Sequence, residues 1–331
     1  MTAMTPYFTV VIAAQDRRAF IEHALASVLN QSIDRRLVEI IIVTNFDFET
    51  NAKDIIVLRC DDSRTGAKLA MGLKRSSGSV IAPLDDDDTW RYNRLSRIYS
   101  FLSKDENIIY YHNEAATMDE GGTLKGQTDN IVGGVQEYRG DADFVEIRKM
   151  HQMRADWNSS SLAFRRDILS NKLDSLEQIA RSPEIFFFYS SLLPGKKLLL
   201  DSSILTNYRV HPLNTSTVPK SGRQKIEDLN SNFKTHLQDC LILKETLNLG
   251  NGGVDRTRAL NRTILDDEIH LFLTGEAVAP SQRLKTALTY TKFISRSFFR
   301  YDAGIVMAAL MSGISTKAGI SIYMRRFEEG S

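Results

Sequence analysis

The sequence has little cysteine, no excess of either charge sign and no long apolar run. Of its 331 residues only Cys60 and Cys240 are cysteines. Two cysteines predict neither a disulfide framework nor a zinc site, and a reducing compartment suits them. Lys and Arg number 42 against 41 Asp and Glu, a net charge of +1. That balance argues against nucleic-acid binding, because neutralising phosphates needs surplus Lys and Arg. The opening residues, Met1 to Phe8, lack a basic stretch followed by an apolar one, so no signal peptide is expected. The most apolar late tract, Ala303 to Thr316, is too short to span a membrane and runs into Lys317. Internal repeats and low-complexity segments are missing too. A cytoplasmic chain follows as the expectation.

What is there reads as an ordinary globular protein, 42% hydrophobic and 25% charged. The length suits two domains, or one large domain with an appendage. Apolar, β-branched runs at Tyr7–Ala13, Val38–Val43, Asp54–Leu58, Ser79–Leu84 and Ile108–Tyr111 predict strands. Between them, helical spacing recurs at Phe20–Leu29, Ala67–Ser76 and Arg91–Ser103, with Gly78 as a stop signal. Strands alternating with helices imply an α/β domain whose mostly parallel sheet is covered on both faces. Ligands of such sheets bind at the carboxyl ends of the strands. Residues 119–140 read as loop or hairpin, and short mixed elements follow. From about residue 218 the pattern turns helical: Gly222–Leu247, Val254–Leu273, and from Pro280 to about Met324. The expected division is a catalytic domain over 1–217 and a helical C-terminal region over 218–331.

The strongest chemical signal is Leu84-Asp85-Asp86-Asp87-Asp88-Thr89-Trp90. Four adjacent carboxylates repel one another and persist at a strand end only if solvated or neutralised by a cation. Hard divalent ions such as Mg²⁺ or Mn²⁺ take carboxylates together with substrate phosphates. In an extended stretch, side chains two apart share a face, so Asp85 and Asp87 can converge. A solvated acidic turn is the alternative; the buried strand before the run and the aromatic, basic helix after it favour the cation. An EF-hand is excluded by the ligand spacing and the missing central glycine.

Three segments in order resemble a family 2 glycosyltransferase of the GT-A fold. Val10-Val-Ile-Ala-Ala-Gln-Asp-Arg17 with Ala24-Leu-Ala-Ser-Val-Leu-Asn-Gln31 is similar to that family's opening strand and helix. Val38–Val43 is similar to its second strand, and Gly78-Ser-Val-Ile-Ala-Pro-Leu-Asp-Asp-Asp-Asp-Thr-Trp90 to the segment carrying its DxD motif. Asn207-Tyr-Arg-Val-His-Pro-Leu-Asn-Thr-Ser216 is a weaker fourth match. The resemblance implies a Rossmann-like GT-A domain over residues 7–217 with a helical appendage. It implies Asp85 and Asp87 as ligands of Mn²⁺ or Mg²⁺, and through it of the donor diphosphate, with Asp86 reaching the donor ribose or sugar. Ala14, Gln15 and Asp16, with Thr44 and Asn45, take the positions that cradle the nucleotide. The family's usual "TYN" stands here as Ala14-Gln15-Asp16, and its paired Asp as Thr44-Asn45, which removes a carboxylate acceptor for a base N–H. Lys68 is a candidate diphosphate contact or a solvated helix lysine. Arg209 and His211 are candidates for the diphosphate and the metal, against a purely structural role.

The implied reaction is inverting transfer from a nucleotide-diphospho-sugar, a UDP-sugar being favoured over a GDP-sugar. The acceptor hydroxyl then needs a base. The matching stretch is Arg181-Ser-Pro-Glu-Ile-Phe-Phe-Phe-Tyr189, where Pro183 suits a first helical turn and Glu184 is the expected base. Phe186 to Phe188 are expected to pack inward. Glu184 favouring only its own helix N-terminus is the alternative. Two rivals stand beside this reading. A sugar-nucleotide pyrophosphorylase would need a glycine-rich loop after the first strand, and Ala13–Arg17 has no glycine. A non-catalytic scaffold is opposed by the intact aspartate run.

From residue 281 onward eight basic residues stand against three acidic ones, with Lys292, Arg296 and Arg300 at i, i+4 spacing. A basic amphipathic helix suits a peripheral contact with the inner face of a membrane, and a glycan or lipid-linked acceptor would fit. Packing on the catalytic domain or on a second copy, as a homo-oligomer, is the other reading.

Overall fold

The structure is a computed structural model. It describes residues 5–211 apart from 51 and 53, residue 214, and the stretches 223–247 and 254–273. The helix expected from Pro280, and the basic tail with it, lie outside the described residues. Among these, no helix is long and apolar enough to cross a membrane.

In chain order the strands are β1 Phe8–Ala14, β2 Val38–Thr44, β3 Ile55–Arg59, β4 Val80–Asp85, β5 Thr89–Trp90, β6 Ile108–Met118, β7 Leu124–Gln127, β8 Val135–Arg139, β9 Leu162–Arg165 and β10 Lys197–Arg209. The helices are α1 Arg18–Leu29, α2 Thr65–Arg75, α3 Arg94–Leu102, α4 Phe144–Gln152, α5 Leu173–Leu176, α6 Pro183–Ser190, α7 Arg223–Thr246 and α8 Val254–Leu273. The chain divides into two compact units, Met1–Thr217 with Ile242–Thr257, and Val218–Leu241 with Arg258–Ser331.

One sheet organises the first unit, in the order β3-β2-β1-β4-β9-β6-β10-β5, with β7 on β6 and β8 on β10. The pairs β1–β2, β1–β4 and β2–β3 are parallel, as the alternating pattern predicts, and so is β6–β10, whose second strand falls where the sequence shows only short mixed elements. The short β9 runs antiparallel between β4 and β6. It is four residues long, and its apolar Leu162-Ala-Phe164 reads as strand-like in the sequence. β1 is buried at all seven positions, the continuous apolar run of a strand covered on both faces. Gly78 does more than stop α2. A Cβ there would lie 2.6 Å from the β1 backbone at Phe8 and Thr9, and its N–H donates to Thr9 Oγ1 at 2.9 Å. The close approach requires glycine.

The thirteen-residue β10 carries a buried ionic anchor. Asp201 accepts from Arg97 Nε at 2.5 Å and Nη2 at 3.1 Å, from Tyr111 Oη at 2.6 Å, and from the Ser203 N–H at 2.9 Å. Burial alone would raise the Asp201 carboxyl; the Arg97 and Tyr111 bonds outweigh it and hold the group below the usual carboxylate range. Asp201→Asn is expected to cost on the order of 3 kcal/mol, the scale for breaking a buried ion pair. A carboxyl held low in the folded state binds fewer protons there than in the unfolded chain. Its contribution is therefore present above about pH 4 and fades as pH falls through the lowered value. Urea denaturation at pH 7 and pH 3 checks this: the gap between wild type and variant should be wide at the first and narrow at the second.

Candidate active site

The parallel strands β1, β2 and β4 end together, Ala14 beside Thr44 and Ala13 beside Asp85. Polar loops leave from these ends and form one cluster. After β1, Asp16 adopts a left-handed backbone, φ +58°. Asp16 N–H donates to Asn45 Oδ1 at 3.0 Å, and Asn45 Nδ2 donates to Asp16 Oδ1 at 2.6 Å. Gln15 Nε2 donates to Asp16 Oδ2 at 2.7 Å. Thr44 Oγ1 caps the next turn by accepting from the Phe46 N–H at 3.1 Å. Ala14, Gln15, Asp16, Thr44 and Asn45, expected to act together, do lie together. Lys68 is buried, and its Nζ reaches Gln15 Oε1 and the Asp62 carbonyl. It is not a solvated helix lysine, and burial pulls its ammonium below the usual lysine range.

The aspartate run is a turn: β4 ends at Asp85, and the Asp88 N–H donates to the Asp85 carbonyl at 3.3 Å. Asp86, Asp87 and Asp88 are buried. The cation that faces Asp86 and Asp87 is Arg17, which no sequence pattern singles out. Its Nη2 donates to Asp86 Oδ1 and its Nη1 to Asp87 Oδ2, both at 2.5 Å. Only the turn at Asp16 sends Arg17 back across the sheet end, so strand and helix periodicity carry no sign of it. The Gln15 N–H also donates to Asp86, at 3.2 Å.

His211, buried, faces Asp87 Oδ2 through Nε2 at 3.0 Å and lies against Phe20. Arg209 braces the turn rather than pointing out of it. Its N–H donates to Asp88 Oδ1 at 2.9 Å, its Nε to the Asp87 carbonyl at 2.7 Å, and its Nη1 to the Glu120 carbonyl at 2.7 Å. The cluster is short of positive charge. Burial, with Asp87's charge added and Arg17's subtracted, pushes Asp85 up to about 7. Burial likewise pushes Asp86 to about 7 against the pull of Arg17. Buried carboxyls that resist ionising, beside an imidazole nitrogen, are donor types that a hard or borderline divalent cation takes. Only Asp87 and His211 are in contact here, however, and among the described residues the one group of three ligating side chains close enough to share an ion lies outside this cluster.

Glu184 lies in the first turn of α6, behind Pro183. Phe186, Phe187 and Phe188 are buried, and Phe187 stacks on Phe164 at 4.3 Å. A turn of three serines, which the sequence does not flag, joins Glu184 to the aspartates. Ser159 Oγ donates to Glu184 Oε2 at 3.3 Å, and Ser160 Oγ accepts from the Asp85 N–H at 3.1 Å. Asn158 sets up that turn with φ +60°, its Oδ1 accepting from the Ser160 N–H at 3.0 Å. Trp90 Nε1 and Thr206 Oγ1 both donate to the Ser160 carbonyl, at 2.8 and 3.1 Å. Trp157 packs on Tyr208, ring centroids 5.2 Å apart.

Arg17→Ala is expected to leave two buried carboxylates without their shared partner, at a cost of about 2–4 kcal/mol. Mn²⁺ should restore more stability to this variant than to wild type, since the cation takes over an unmet charge. Melting curves with and without Mn²⁺ check it; equal metal effects in both proteins would reject the shared role.

A parallel sheet closed by an aspartate turn, with a polar loop facing it, is the architecture of a GT-A sugar transferase. The family model described as glycosyl transferase family 2 matches residues 9–170, and over those residues the chain is a family 2 glycosyltransferase. Among solved structures, Staphylococcus aureus TarS 1–349 bound to UDP-GlcNAc is similar at 12% identity and a TM-score of 0.59. The match covers 96% of this chain and 91% of that one. The same TarS segment bound to UDP gives 13% identity and a TM-score of 0.57, again over 96% and 91%. Against a longer TarS chain the TM-score is 0.55 at 13% identity, and this chain spans 55% of its length. At such identities the likeness shows the fold, which is GT-A. No curated protein matches the sequence.

Proposed function

We propose that the chain transfers a sugar from a nucleotide-diphospho-sugar, most readily a UDP-sugar, to a hydroxyl of a glycan or lipid-linked acceptor, with inversion at the anomeric carbon. The observation that carries this is the serine turn: its adjacent Ser159 and Ser160 hydroxyls bond Glu184 and the Asp85 N–H respectively. A base and a site for the leaving diphosphate must flank the same anomeric carbon. The family match supports transfer chemistry, and the TarS structures, solved with UDP and UDP-GlcNAc, favour uridine in the donor.

Ala14, Gln15, Asp16, Thr44 and Asn45 would receive the nucleoside. Their hydroxyl, amide and backbone groups offer donors and acceptors to base and ribose. Asp86, pinned by Arg17 and Gln15, would face the ribose or the sugar. Asp85, Asp87 and His211 would hold Mn²⁺ or Mg²⁺, which when bound supplies charge that stabilises the departing diphosphate. Lys68 lies behind this group, against Gln15. Arg209 fixes the turn from beneath through the Asp87 carbonyl and Asp88. Glu184 would take the proton of the acceptor hydroxyl as its oxygen bonds to the anomeric carbon. The bond from that carbon to the diphosphate oxygen breaks on the opposite side, which inverts the centre.

Thermal-shift measurements with UDP and GDP, each with and without Mn²⁺, test the proposal, because a ligand of the native state raises its melting temperature. The expected result is a shift with UDP that grows when Mn²⁺ is added. A protein indifferent to both nucleotides in either condition would leave the scaffold reading standing.

A further inference from the structure

The helical second unit contains a cluster that plays no part in the chemistry above. On α7, His236 and Cys240 stand four residues apart and so share one face. Asp267 comes from α8. The ligand atoms of the three lie within 4.8 Å of one another. His236 Nδ1 is 2.5 Å from Asp267 Oδ2 and 3.9 Å from Cys240 Sγ. Cys240 is 1% exposed and Asp267 4%, whereas the His236 side chain is 26% exposed.

Two chemistries use a Cys, a His and an Asp in contact. A nucleophilic relay needs the two ring nitrogens to face different partners, one the thiol and the other the carboxylate. Here the thiol and the carboxylate both face Nδ1, which leaves no relay, and the sulfur is closed to any substrate. A metal ion needs the opposite arrangement, three ligand atoms converging on one point. With zinc bonds of about 2.0–2.3 Å to N, O and S, tetrahedral ligand atoms lie roughly 3.3–3.8 Å apart. The observed separations bracket that range, so small rotamer changes close the geometry. The ring of His270, one turn beyond Asp267, stacks on Phe233 at 4.3 Å and 7°. Phe233 in turn lies one turn before His236, so the stack walls the cluster with aromatic surface.

We propose that His236, Cys240 and Asp267 form a zinc site that clips α7 to α8, with water from the exposed His236 side as the fourth ligand. A soft sulfur beside nitrogen and one carboxylate selects zinc over the Mg²⁺ or Mn²⁺ that an oxygen-rich site takes. The cysteine count by itself argues against any zinc site. One thiolate suffices when the tertiary fold supplies the imidazole and the carboxylate.

The test uses the full chain, freed of any histidine tag, after dialysis against buffered Zn²⁺. The expected result is an equimolar amount of zinc by elemental analysis. Replacement with Co²⁺ should then give a thiolate-to-cobalt absorption in the near ultraviolet and intense tetrahedral visible bands. Cys240→Ser should abolish the ultraviolet band, Asp267→Asn should weaken metal retention, and Cys60→Ser should leave both unchanged. Asp87→Ala should also leave the cobalt spectrum unchanged, which separates this site from the sugar-transfer site. Substoichiometric zinc in wild type, or a cobalt band that survives Cys240→Ser, would overturn the assignment, whether or not the variants fold.

Discussion

Asp87→Ala is expected to lower sugar transfer by about a thousandfold, the scale for losing several kcal/mol of charge stabilisation in the transition state. Asp87 is the member of the turn with the most converging partners: Arg17 Nη1 at 2.5 Å and His211 Nε2 at 3.0 Å on one oxygen, with Arg209 on its carbonyl. Removing the carboxylate takes a shared partner from Arg17 and His211 together. Asp87→Asn retains volume and a hydrogen-bond acceptor but not the charge. It should therefore keep the fold at some cost in melting temperature, with Arg17 still paired to Asp86, and fail almost as badly. Initial rates of Mn²⁺-dependent UDP-sugar turnover, measured beside melting curves, check both variants. A variant that stays folded and keeps about a tenth or more of the wild-type rate would remove Asp87 from the metal site, since a metal ligand carries several kcal/mol.

Glu184→Gln is expected to reduce transfer by roughly 10²–10⁴-fold, the usual contribution of general-base catalysis. The substitution keeps the α6 first turn and the Ser159 contact at 3.3 Å, because an amide oxygen also accepts. What it loses is the capacity to take a proton. Donor-nucleotide binding should therefore be unchanged, with the same melting shift on adding UDP and Mn²⁺, while kcat falls and the donor KM stays near its wild-type value. This pattern differs from the one expected at Asp87, where nucleotide binding and turnover fall together. A Glu184→Gln enzyme with normal kcat would assign the carboxylate to capping its own helix, and the base would have to be sought elsewhere.

The residues of the site differ in how plainly their chemistry shows in the chain. Asp85 to Asp88 stand out by composition alone, and the apolar strand before them places them at a sheet end. Asp16 and Asn45 follow from the family resemblance, and their mutual hydrogen bonds follow from β1 and β2 being parallel neighbours in register. Arg17 is invisible at that level, because its reach depends on one left-handed residue, Asp16. The Ser159–Ser161 turn is equally silent: three serines carry no periodic signal, and their importance comes from Trp90, Thr206 and Asp85, far away in the chain. Lys68 admits a solvated alternative on sequence grounds, and burial against Gln15 removes it.

Local chemistry fixed the parallel core of the sheet, the helices that cover it and the place of the acidic turn, since each depends on hydrophobic period or charge density within a few consecutive residues. Tertiary structure alone decided which cation meets those acids, how Glu184 is joined to them, and that the Cys240 and His236 pair meets Asp267. The contacts concerned join residues from 25 positions apart, at Ser159 and Glu184, to 124 apart, at Asp87 and His211. No short-range pattern constrains contacts of that separation.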